Sequence, residues 1–508
     1  MKLKPLVAGV AALLASTPVH ATWHEATSKH FIVYADENAD ELKSYATMLE
    51  HFDAAVREAR GVSDVSPGQS TRVTLYLVRD ITALRRIYGE KESAVAGFYV
   101  PRATGSVAFV PEKGETGKWS LGANSIFFHE YTHHLMLQDA DRPLPTWLSE
   151  GWAEFFANPE FKPDGSVVIG KPPLYRGEAL YTEWRLPLEK MLAGDFRGII
   201  GPEVDSLYGR GWLLTHLLSF DPSRRGQLTK YLNDIQAGVE PLKAAEDAFG
   251  DIKTLDRELD RYFKRDVFTV ATIPASKLHI PLVTVRALSP GEEELINAKI
   301  RLARGGSDVR AKSFVGEARK MAAKYPNDAK VQMLVADIEL AAENPREAAV
   351  AADRALAQNP QSFNATIAKG RAMLALAKAS PAATDWNGVR EYFLKANKID
   401  PEAAEPLVLF YQSFVDQGVR PTKNAVDGLT YAVILAPQDD KLRMELIGRL
   451  IEDNRLADAS KTIIPIAYSP HVGKRHDSAV AILDQLKSGN QTLAKEKWQA
   501  AQKYFDDE

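Results

Sequence analysis

Hydrophobic positions near the start of the chain follow first the period of a strand and then that of a helix. KHFIVYA (29–35) alternates and is rich in β-branched and aromatic residues, which predicts a strand. Apolar residues then recur at helical spacing from about Asn38 to Ala59. Residues 70–78 predict a second strand, and residues 81–88 predict a short helix. These elements indicate a small α+β unit.

The following part of the chain predicts a hairpin, two apolar helices and a second hairpin. AGFYVP and GSVAFVP, on either side of residues 102–105, have the pattern of a β-hairpin. Apolar residues dominate 127–138 and recur at helical spacing in 145–156, which predicts two helices. Turn residues around a short β-like run at 161–173 predict a second hairpin or a flap. Leucine-rich helical segments continue to about Phe268.

The C-terminal part of the chain has a different, repetitive pattern. Residues 271–290 contain prolines among β-formers, which predicts a linker. From 291 to 508 the sequence is helical and alanine-rich, and a proline follows an apolar helical run at intervals of about 34 residues, the period of tetratricopeptide repeats. These prolines are Pro326, Pro360, Pro401, Pro437 and Pro470. The pattern predicts an all-α, tetratricopeptide-like repeat domain, and a non-repetitive helical bundle is the alternative.

Composition narrows the classes of protein to which the chain can belong. Its 508 residues are 45% hydrophobic and 26% charged, which is typical of a soluble globular protein with two or three domains. The formal net charge of −4 gives no reason to expect binding to nucleic acid or to a membrane surface. The sequence contains no cysteine, which excludes disulfides, thiolate metal sites and cysteine catalysis.

Residues 1–21 have the pattern of a secretory signal peptide. Two lysines precede a short apolar run, and Val19 and Ala21 are the small residues that precede cleavage. We therefore expect the mature chain to begin near Thr22 and to be exported, either to a bacterial periplasm or to the medium. A retained N-terminal anchor is the alternative. No later segment reaches the roughly 18 uninterrupted apolar residues of a membrane span, so no span is expected after cleavage.

The helix predicted at 127–138 contains the candidate chemistry. His129, Glu130 and His133 have the order H-E-x-x-H. Residues four apart lie on one face of a helix, so the two imidazoles can hold one divalent metal while Glu130 stands beside it as a base. His134 projects about 100° away from His133 and is left outside the ligand set. Because so short a motif also occurs by chance, a third ligand must support it.

Glu150 is the candidate for that third ligand. A catalytic zinc takes three protein ligands, and without cysteine the third must be His, Asp or Glu. Glu150 lies in the apolar run PTWLSEGWAEFF, where a carboxylate is costly unless it is paired or bound to metal. A helix-capping or salt-bridging carboxylate is the alternative. Glu154, one turn further along, can accept a hydrogen bond from a ligand histidine and so orient its ring.

HEYTH followed by WLSEGWAEFF resembles the gluzincin zinc peptidases, the clan of thermolysin and the aminopeptidase N type enzymes. The segments are most similar to the exported peptidase MA-like group, whose domains are often joined to tetratricopeptide repeats. The resemblance implies an α+β, thermolysin-like metallopeptidase domain that binds one zinc ion through His129, His133 and Glu150. It also implies that Glu130 is the general base.

A further segment, SLYGRGWLLTHLL (206–218), resembles the part of the aminopeptidases whose tyrosine stabilises the oxyanion, which implies that role for Tyr208. A tyrosine packed at a helix start is the alternative. His216, two turns along, is expected to be an ordinary core or surface histidine. In such peptidases the sheet edge nearest the metal pairs with extended substrate. This implies that residues 107–110 form that edge, and an ordinary half-buried strand is the alternative.

The sequence therefore predicts an exported metallopeptidase that hydrolyses peptide bonds through a zinc-activated water. We expect a signal peptide (1–21), a gluzincin-like domain (22–270), a linker (271–290) and a repeat domain (291–508). The expected partners are a peptide or protein substrate and a protein bound by the repeats, which can also serve only to brace the first domain. The alternative function is a catalytically silent, peptidase-like protein that acts as a periplasmic binding or assembly factor through its repeats.

Overall fold

A computed structural model shows a mixed α/β N-terminal region and a mostly helical C-terminal region. The expected signal peptide, residues 1–21, lies outside the described residues, and so does Pro470. None of the described helices is long and apolar enough to cross a membrane. The structure describes residues 23–64, 68, 70–89, 95–113, 122–138, 144–177, 180, 185–194, 196, 199, 201–305, 312–469 and 473–505.

The described strands form two sheets. They are β1 (His24–Thr27), β2 (Phe31–Ala35), β3 (Val73–Asp80), β4 (Phe98–Val100), β5 (Val107–Lys113), β6 (Glu160–Phe161), β7 (Val167–Ile169), β8 (Ala271–Ile273) and β9 (Thr284–Ala287). Six strands form a sheet in the order β4-β5-β3-β2-β1-β9, and three form a second sheet in the order β6-β7-β8. The pairs β2–β3 and β3–β5 are parallel, and the other pairs are antiparallel.

Helices connect and cover these strands. In the N-terminal region they are α1 (Ala39–Arg60), α2 (Ile81–Tyr88), α3 (Ala123–Gln138), α4 (Thr146–Phe156), α5 (Leu188–Ala193), α6 (Gly201–Phe220), α7 (Gln227–Gln236), α8 (Pro241–Phe249) and α9 (Ile252–Phe263). Parallel neighbours need a crossover connection, and α1 supplies it between β2 and β3. The early strands and helices and both hairpins lie where the hydrophobic pattern predicts them.

The C-terminal region is a succession of helices. They are α10 (Pro290–Glu294), α11 (Ile296–Arg304), α12 (Val315–Lys324), α13 (Ala329–Ala341), α14 (Pro345–Gln358), α15 (Phe363–Ala379), α16 (Trp386–Ile399), α17 (Ala404–Asp416), α18 (Lys423–Leu435), α19 (Asp440–Glu452), α20 (Leu456–Ala467), α21 (Lys474–Lys487) and α22 (Gln491–Ala501). From α12 to α22 each helix packs against its neighbour in the chain, and α13, α15 and α17 also contact one another in turn. This nearest-neighbour packing is typical of stacked helical repeats.

The spaced prolines mark the ends of alternate helices. Pro326, Pro360, Pro401 and Pro437 are each the second residue after the last residue of α12, α14, α16 and α18, respectively. Proline cannot continue a helix, which explains its place just beyond the C-terminus. The helical character of this region agrees with the sequence, whereas its identity as tetratricopeptide repeats stays a prediction.

The sheet order corrects the expectation that residues 107–110 form a free edge. β5 pairs with β3 on one side, and on the other side its residues Val107 and Phe109 lie opposite Val100 and Phe98 of β4. The short turn of the hairpin places β4 at the outer edge of the sheet, where it covers most of the expected edge. Only Val110 and the residues after it extend beyond the described pairing with β4.

The six-stranded sheet has an apolar core on each face because its side chains alternate. Phe31 and Leu75 belong to a large core that also contains apolar residues of α1 and α3. Tyr34, Tyr76 and Phe109 belong to a second cluster, which includes residues of α2 and α11. The first face therefore supports the helix that carries H-E-x-x-H, and the second face supports the start of the C-terminal region.

The two regions are joined by strands as well as by helices. The segment 271–290, predicted as a linker, contributes β8 to the small sheet and β9 to the large sheet. Further along, Nε2 of Gln438 donates to the backbone oxygens of Ser70 and Arg102, at 2.7 and 3.0 Å. The amide of Ala103 donates to Oδ2 of Asp439 at 2.7 Å. The turn before α19 is thus fixed to loops of the N-terminal region.

Two glycines allow α4 and α6 to approach closely. A Cβ at Gly151 would lie 2.3 Å from Oγ1 of Thr215 and 2.5 Å from the carbonyl oxygen of Gly211. A Cβ at Gly211 would lie 2.6 Å from the carbonyl oxygen of Trp147. No side chain fits in this space, so the glycines of WLSEG and YGRG hold the turn that carries Glu150 against α6.

We expect Gly151→Ala to lower the free energy of unfolding by about 1–3 kcal/mol, because the new methyl group overpacks a helix contact. Urea denaturation followed by circular dichroism measures the change. Gly316→Ala is the control, because Gly316 is also helical and a Cβ there meets nothing within 4 Å. That variant should stay within about 1 kcal/mol of the wild type. Equal effects of the two substitutions would contradict the tight contact between α4 and α6.

Candidate metal centre

α3 and α4 bring the two histidines and Glu150 together in the interior. The Nε2 atoms of His129 and His133, one helical turn apart, are separated by 3.2 Å. Oε2 of Glu150 lies 3.1 Å from Nε2 of His129 and 3.5 Å from Nε2 of His133. All three side chains are buried, and Glu150 is 0% exposed. The structure therefore assembles the three predicted ligands at one point.

The size of this triangle fits a metal ion. Tetrahedral bonds of about 2.0–2.1 Å separate the ligand atoms by roughly 3.3–3.4 Å, close to the distances observed. Among the described residues, no hydrogen bond of acceptable geometry reaches either carboxylate oxygen of Glu150. A buried carboxylate without such bonds is costly unless a cation lies beside it. His129, His133 and Glu150 are therefore a candidate site for a divalent metal.

The charges of the triad stabilise one another. Burial lowers the pKa of His129, but the carboxylates of Glu150, Glu154 and Glu130 outweigh it and raise the pKa of His129 to about 9. Burial likewise opposes the ionisation of Glu150, but His133 and His129 outweigh it and hold its pKa well below the ordinary value. A proton on imidazole and a metal ion are thus alternative partners for the same carboxylate, so metal binding releases that proton.

Glu130 is half-buried at the border of the triad. Its charge contributes to the pKa shifts of His129, Tyr99 and Tyr208, so it lies within electrostatic reach of all three. No described side chain forms a hydrogen bond or an ion pair with its carboxylate. The carboxylate is therefore available to a molecule bound beside the triad.

Glu154 contacts His129 from the other side of the ring. Its Oε1 lies 3.6 Å from Nδ1 of His129, which is too long for a hydrogen bond but close enough for a strong charge interaction. The same carboxylate accepts hydrogen bonds from the hydroxyl of Tyr175 at 2.6 Å and from Nε of Arg176 at 2.9 Å. The predicted hydrogen bond to His129 is thus replaced by a looser contact, and Glu154 is held by two residues that the sequence analysis missed.

Tyr208 lies between the triad and Arg176. Its ring centroid is 5.7 Å from that of His129, and Cζ of Arg176 lies 4.4 Å from the centre of the tyrosine ring. Burial, and after it the charge of Glu150, raises the pKa of Tyr208 well above its ordinary value, so the hydroxyl keeps its proton. Arg176 also pairs with Asp205 at 2.8 Å. Nothing in the surrounding KPPLYRG distinguishes this arginine from an ordinary surface residue.

His133 has a second contact outside the triad. Oγ of Ser149 lies 3.3 Å from its Nδ1, the nitrogen that does not face Glu150. A hydrogen bond at this atom fixes the tautomer and orientation of a ligand imidazole. Ser149 directly precedes Glu150 in W-L-S-E-G, so its place in the motif is the signal that could have identified it.

The remaining histidines near the motif have other partners. Nδ1 of His134 contacts the hydroxyl of Tyr99 at 2.8 Å, its Nε2 contacts the carbonyl of Thr71 at 3.1 Å, and burial lowers its pKa to about 4. His216 is fully buried and has hydrogen-bond partners at both ring nitrogens, the hydroxyl of Tyr262 and the carbonyl of Thr269. It is therefore a core histidine, as its position in the sequence predicts.

A second buried group, missed by the sequence analysis, lies beside α3. His30, Glu50 and Asp53 place potential ligand atoms within 4.8 Å of one another. However, Nε of Arg57 donates to both oxygens of Asp53 at 3.0 and 2.9 Å, and the hydroxyl of Tyr131 donates to the same carboxylate at 2.8 Å. Because Arg57 already neutralises Asp53, this group is an ion-pair network that fixes α3 to α1. The sequence signal for this network was the presence of two acidic residues, Glu50 and Asp53, on the apolar face of α1.

Comparison with known proteins finds no family model that matches this chain and no curated protein that matches its sequence. The resemblance to the gluzincins therefore rests on the sequence motifs alone.

We expect the purified protein to bind about one divalent metal ion per chain and His133→Gln to lose it, because one of three ligands is removed. Elemental analysis after dialysis measures the ratio. His134→Gln is the matched control, because His134 is adjacent and also buried but directed at Tyr99 and Thr71. It should keep the metal. Retention of metal by His133→Gln, or equal loss from both variants, would contradict the proposed ligand set.

Proposed function

We propose that this protein is a zinc-dependent metallopeptidase of the gluzincin type, with the site in the α/β region and a repeat domain in the helical region. The observation that carries the proposal is the buried triangle of His129, His133 and Glu150, next to Glu130, whose carboxylate has no partner among the described side chains. Two imidazoles in the ligand set favour zinc over magnesium or calcium. Export of the chain is proposed from residues 1–21 alone.

The chemistry divides between the metal and the side chains around it. Zinc bound by His129, His133 and Glu150 supplies Lewis acidity, which polarises a peptide carbonyl and makes a water molecule more acidic. Glu130 accepts a proton as the water oxygen bonds to the carbonyl carbon, and returns it to the nitrogen as the C–N bond breaks. Tyr208 donates its hydroxyl hydrogen to the carbonyl oxygen as negative charge develops there.

Two positioning effects support these roles. Glu154 lies against Nδ1 of His129, and Ser149 lies against Nδ1 of His133, so each imidazole has a partner that orients its ring. Arg176 packs on Tyr208 and donates to Glu154, so one cation connects the proposed oxyanion donor to the ligand histidine. These contacts hold the side chains in place before a substrate arrives.

We expect Glu130→Gln to keep one zinc ion per chain and to lower the rate of peptide hydrolysis by at least about 10²-fold, because the amide cannot accept the proton from water. Mass spectrometry of a mixed peptide library, with elemental analysis of the same samples, measures both. If the zinc-loaded wild type cleaves nothing that Glu130→Gln leaves intact, the peptidase proposal fails and a silent binding protein replaces it.

We expect Tyr208→Phe to lower kcat by about 10²–10³-fold with zinc content unchanged, because it removes one hydrogen-bond donor to the developing oxyanion. Steady-state cleavage of a peptide selected from the library measures the loss. Tyr231→Phe is the control, because Tyr231 is a buried tyrosine whose hydroxyl accepts from Trp147 away from the triad. An unaltered kcat in Tyr208→Phe would remove Tyr208 from the mechanism.

A further inference from the structure

A cavity of about 1070 Å³ lies between the two regions beside the candidate metal centre. One wall comes from the start of α4, from α5 and from the first turns of α6. The other wall comes from the end of α20 and from α21. Tyr208 is part of the first wall, and its ring also lies 5.7 Å from the ring of His129. Tyr208 therefore borders both the cavity and the triad.

The wall from the N-terminal region is apolar and rigid. Trp147, Leu192 and Leu207 line it, and all three are buried members of the large core of this region. Side chains fixed in a packed core cannot move to fill the cavity without disturbing that core. The shape of this wall is therefore set before anything binds.

The opposite wall is one face of α21. Residues at spacings of three and four lie on the same side of a helix, and Asp477, Val480, Asp484 and Lys487 all line the cavity at this spacing. Val480 is half-buried and lies between the two aspartates, which are both exposed. The face thus offers an apolar contact at its centre, with the two aspartates and Lys487 around it.

The two regions are joined by hydrogen bonds elsewhere, but the apolar residues of the two walls belong to separate clusters. Leu483 of α21 belongs to an apolar cluster distinct from the one that contains Leu192. Gln438 and Asp439 fix the orientation of the helical region through their hydrogen bonds to the loops at Ser70 and Ala103. Apolar cavities of several hundred Å³ are the usual size of ligand sites. At about 1070 Å³ this cavity has room for more than one residue of a bound peptide.

We propose that the cavity binds part of a peptide substrate next to the bond that is cut, with a large apolar side chain against Val480, and that α21 forms part of the substrate site. The identification of the occupant as substrate rests on the proposed peptidase function. The apolar wall of the N-terminal region and Val480 select an apolar side chain, and Tyr208, which borders both the cavity and His129, places the peptide beside the triad. The helical region then determines specificity as well as bracing the first region.

Binding to the Glu130→Gln variant tests the cavity without turnover. The probes are two fluorescein-labelled hexapeptides, Gly-Gly-Ala-Leu-Gly-Gly and the same peptide with serine in place of leucine, titrated by fluorescence anisotropy. We expect the leucine peptide to bind at least tenfold more tightly. Adding Val480→Asp should remove this preference, because a carboxylate then stands at the centre of the apolar face.

Matched variants distinguish a specific effect on the cavity from a general loss of folded structure. Val350→Asp, the same substitution at a valine that is 51% exposed on α14, should leave the preference for leucine unchanged. Val480→Trp, which puts a bulky ring at the centre of this face, should also weaken the leucine peptide at least tenfold if Val480→Asp fails to fold. Persistence of the preference in folded Val480→Asp or Val480→Trp, or its absence in the parent variant, would overturn the proposal.

Turnover by the otherwise wild-type enzyme separates this proposal from the peptidase proposal. Val480→Asp should lower kcat/KM for the leucine peptide at least tenfold and bring it close to the value for the serine peptide, with one zinc ion retained. If the wild type cleaves the leucine peptide and Val480→Asp cleaves it equally fast, the peptidase function holds and the role of α21 is wrong. If nothing is cleaved, the peptidase function fails and the binding measurements alone decide about the cavity.

Discussion

A fully buried carboxylate is the constraint on which the α/β region depends. Removing the charge of Glu150 from water costs on the order of several kcal/mol, and among the described side chains the imidazoles of His129 and His133, or a cation held with them, offset that cost. The three groups meet because α4 approaches α6 closely at Gly151 and because Tyr131 binds α3 to the acidic network of α1. The packing of α4 on α6 and of α3 on α1 is therefore required for the three side chains of the triad to meet.

The triad was predictable because its geometry is largely local. The helical period alone places His129 and His133 on one face, and a carboxylate in an apolar run such as that around Glu150 needs a cationic partner wherever it lies. Arg176 and Tyr175 were not predictable, because each reaches Glu154 from a short 3₁₀ helix about twenty residues away in the chain. No periodicity encodes such a contact. Ser149 was not predicted, although its place inside the motif W-L-S-E-G is a signal that could have identified it.

The same division applies to the fold. The position of most strands and helices follows from hydrophobic period, and the prolines of the C-terminal region mark helix ends because of their own covalent geometry. Strand order depends on long-range pairing instead. Residues 107–110 were therefore predicted as a sheet edge, although β4 covers most of them. Residues 284–287 were predicted as part of a linker, although they pair with β1.

The pairing of β9 with β1 determines how far along the chain the α/β region extends. A polypeptide that ended at residue 270 would lack β8 and β9, so β7 and β1 would each have an exposed edge with unpaired amides and carbonyls. Trp23 would also lose both of its backbone partners, the amide of Leu288 and the carboxylate of Glu293. The α/β region therefore depends on residues 271–293 to complete both sheets and to pair the backbone of Trp23.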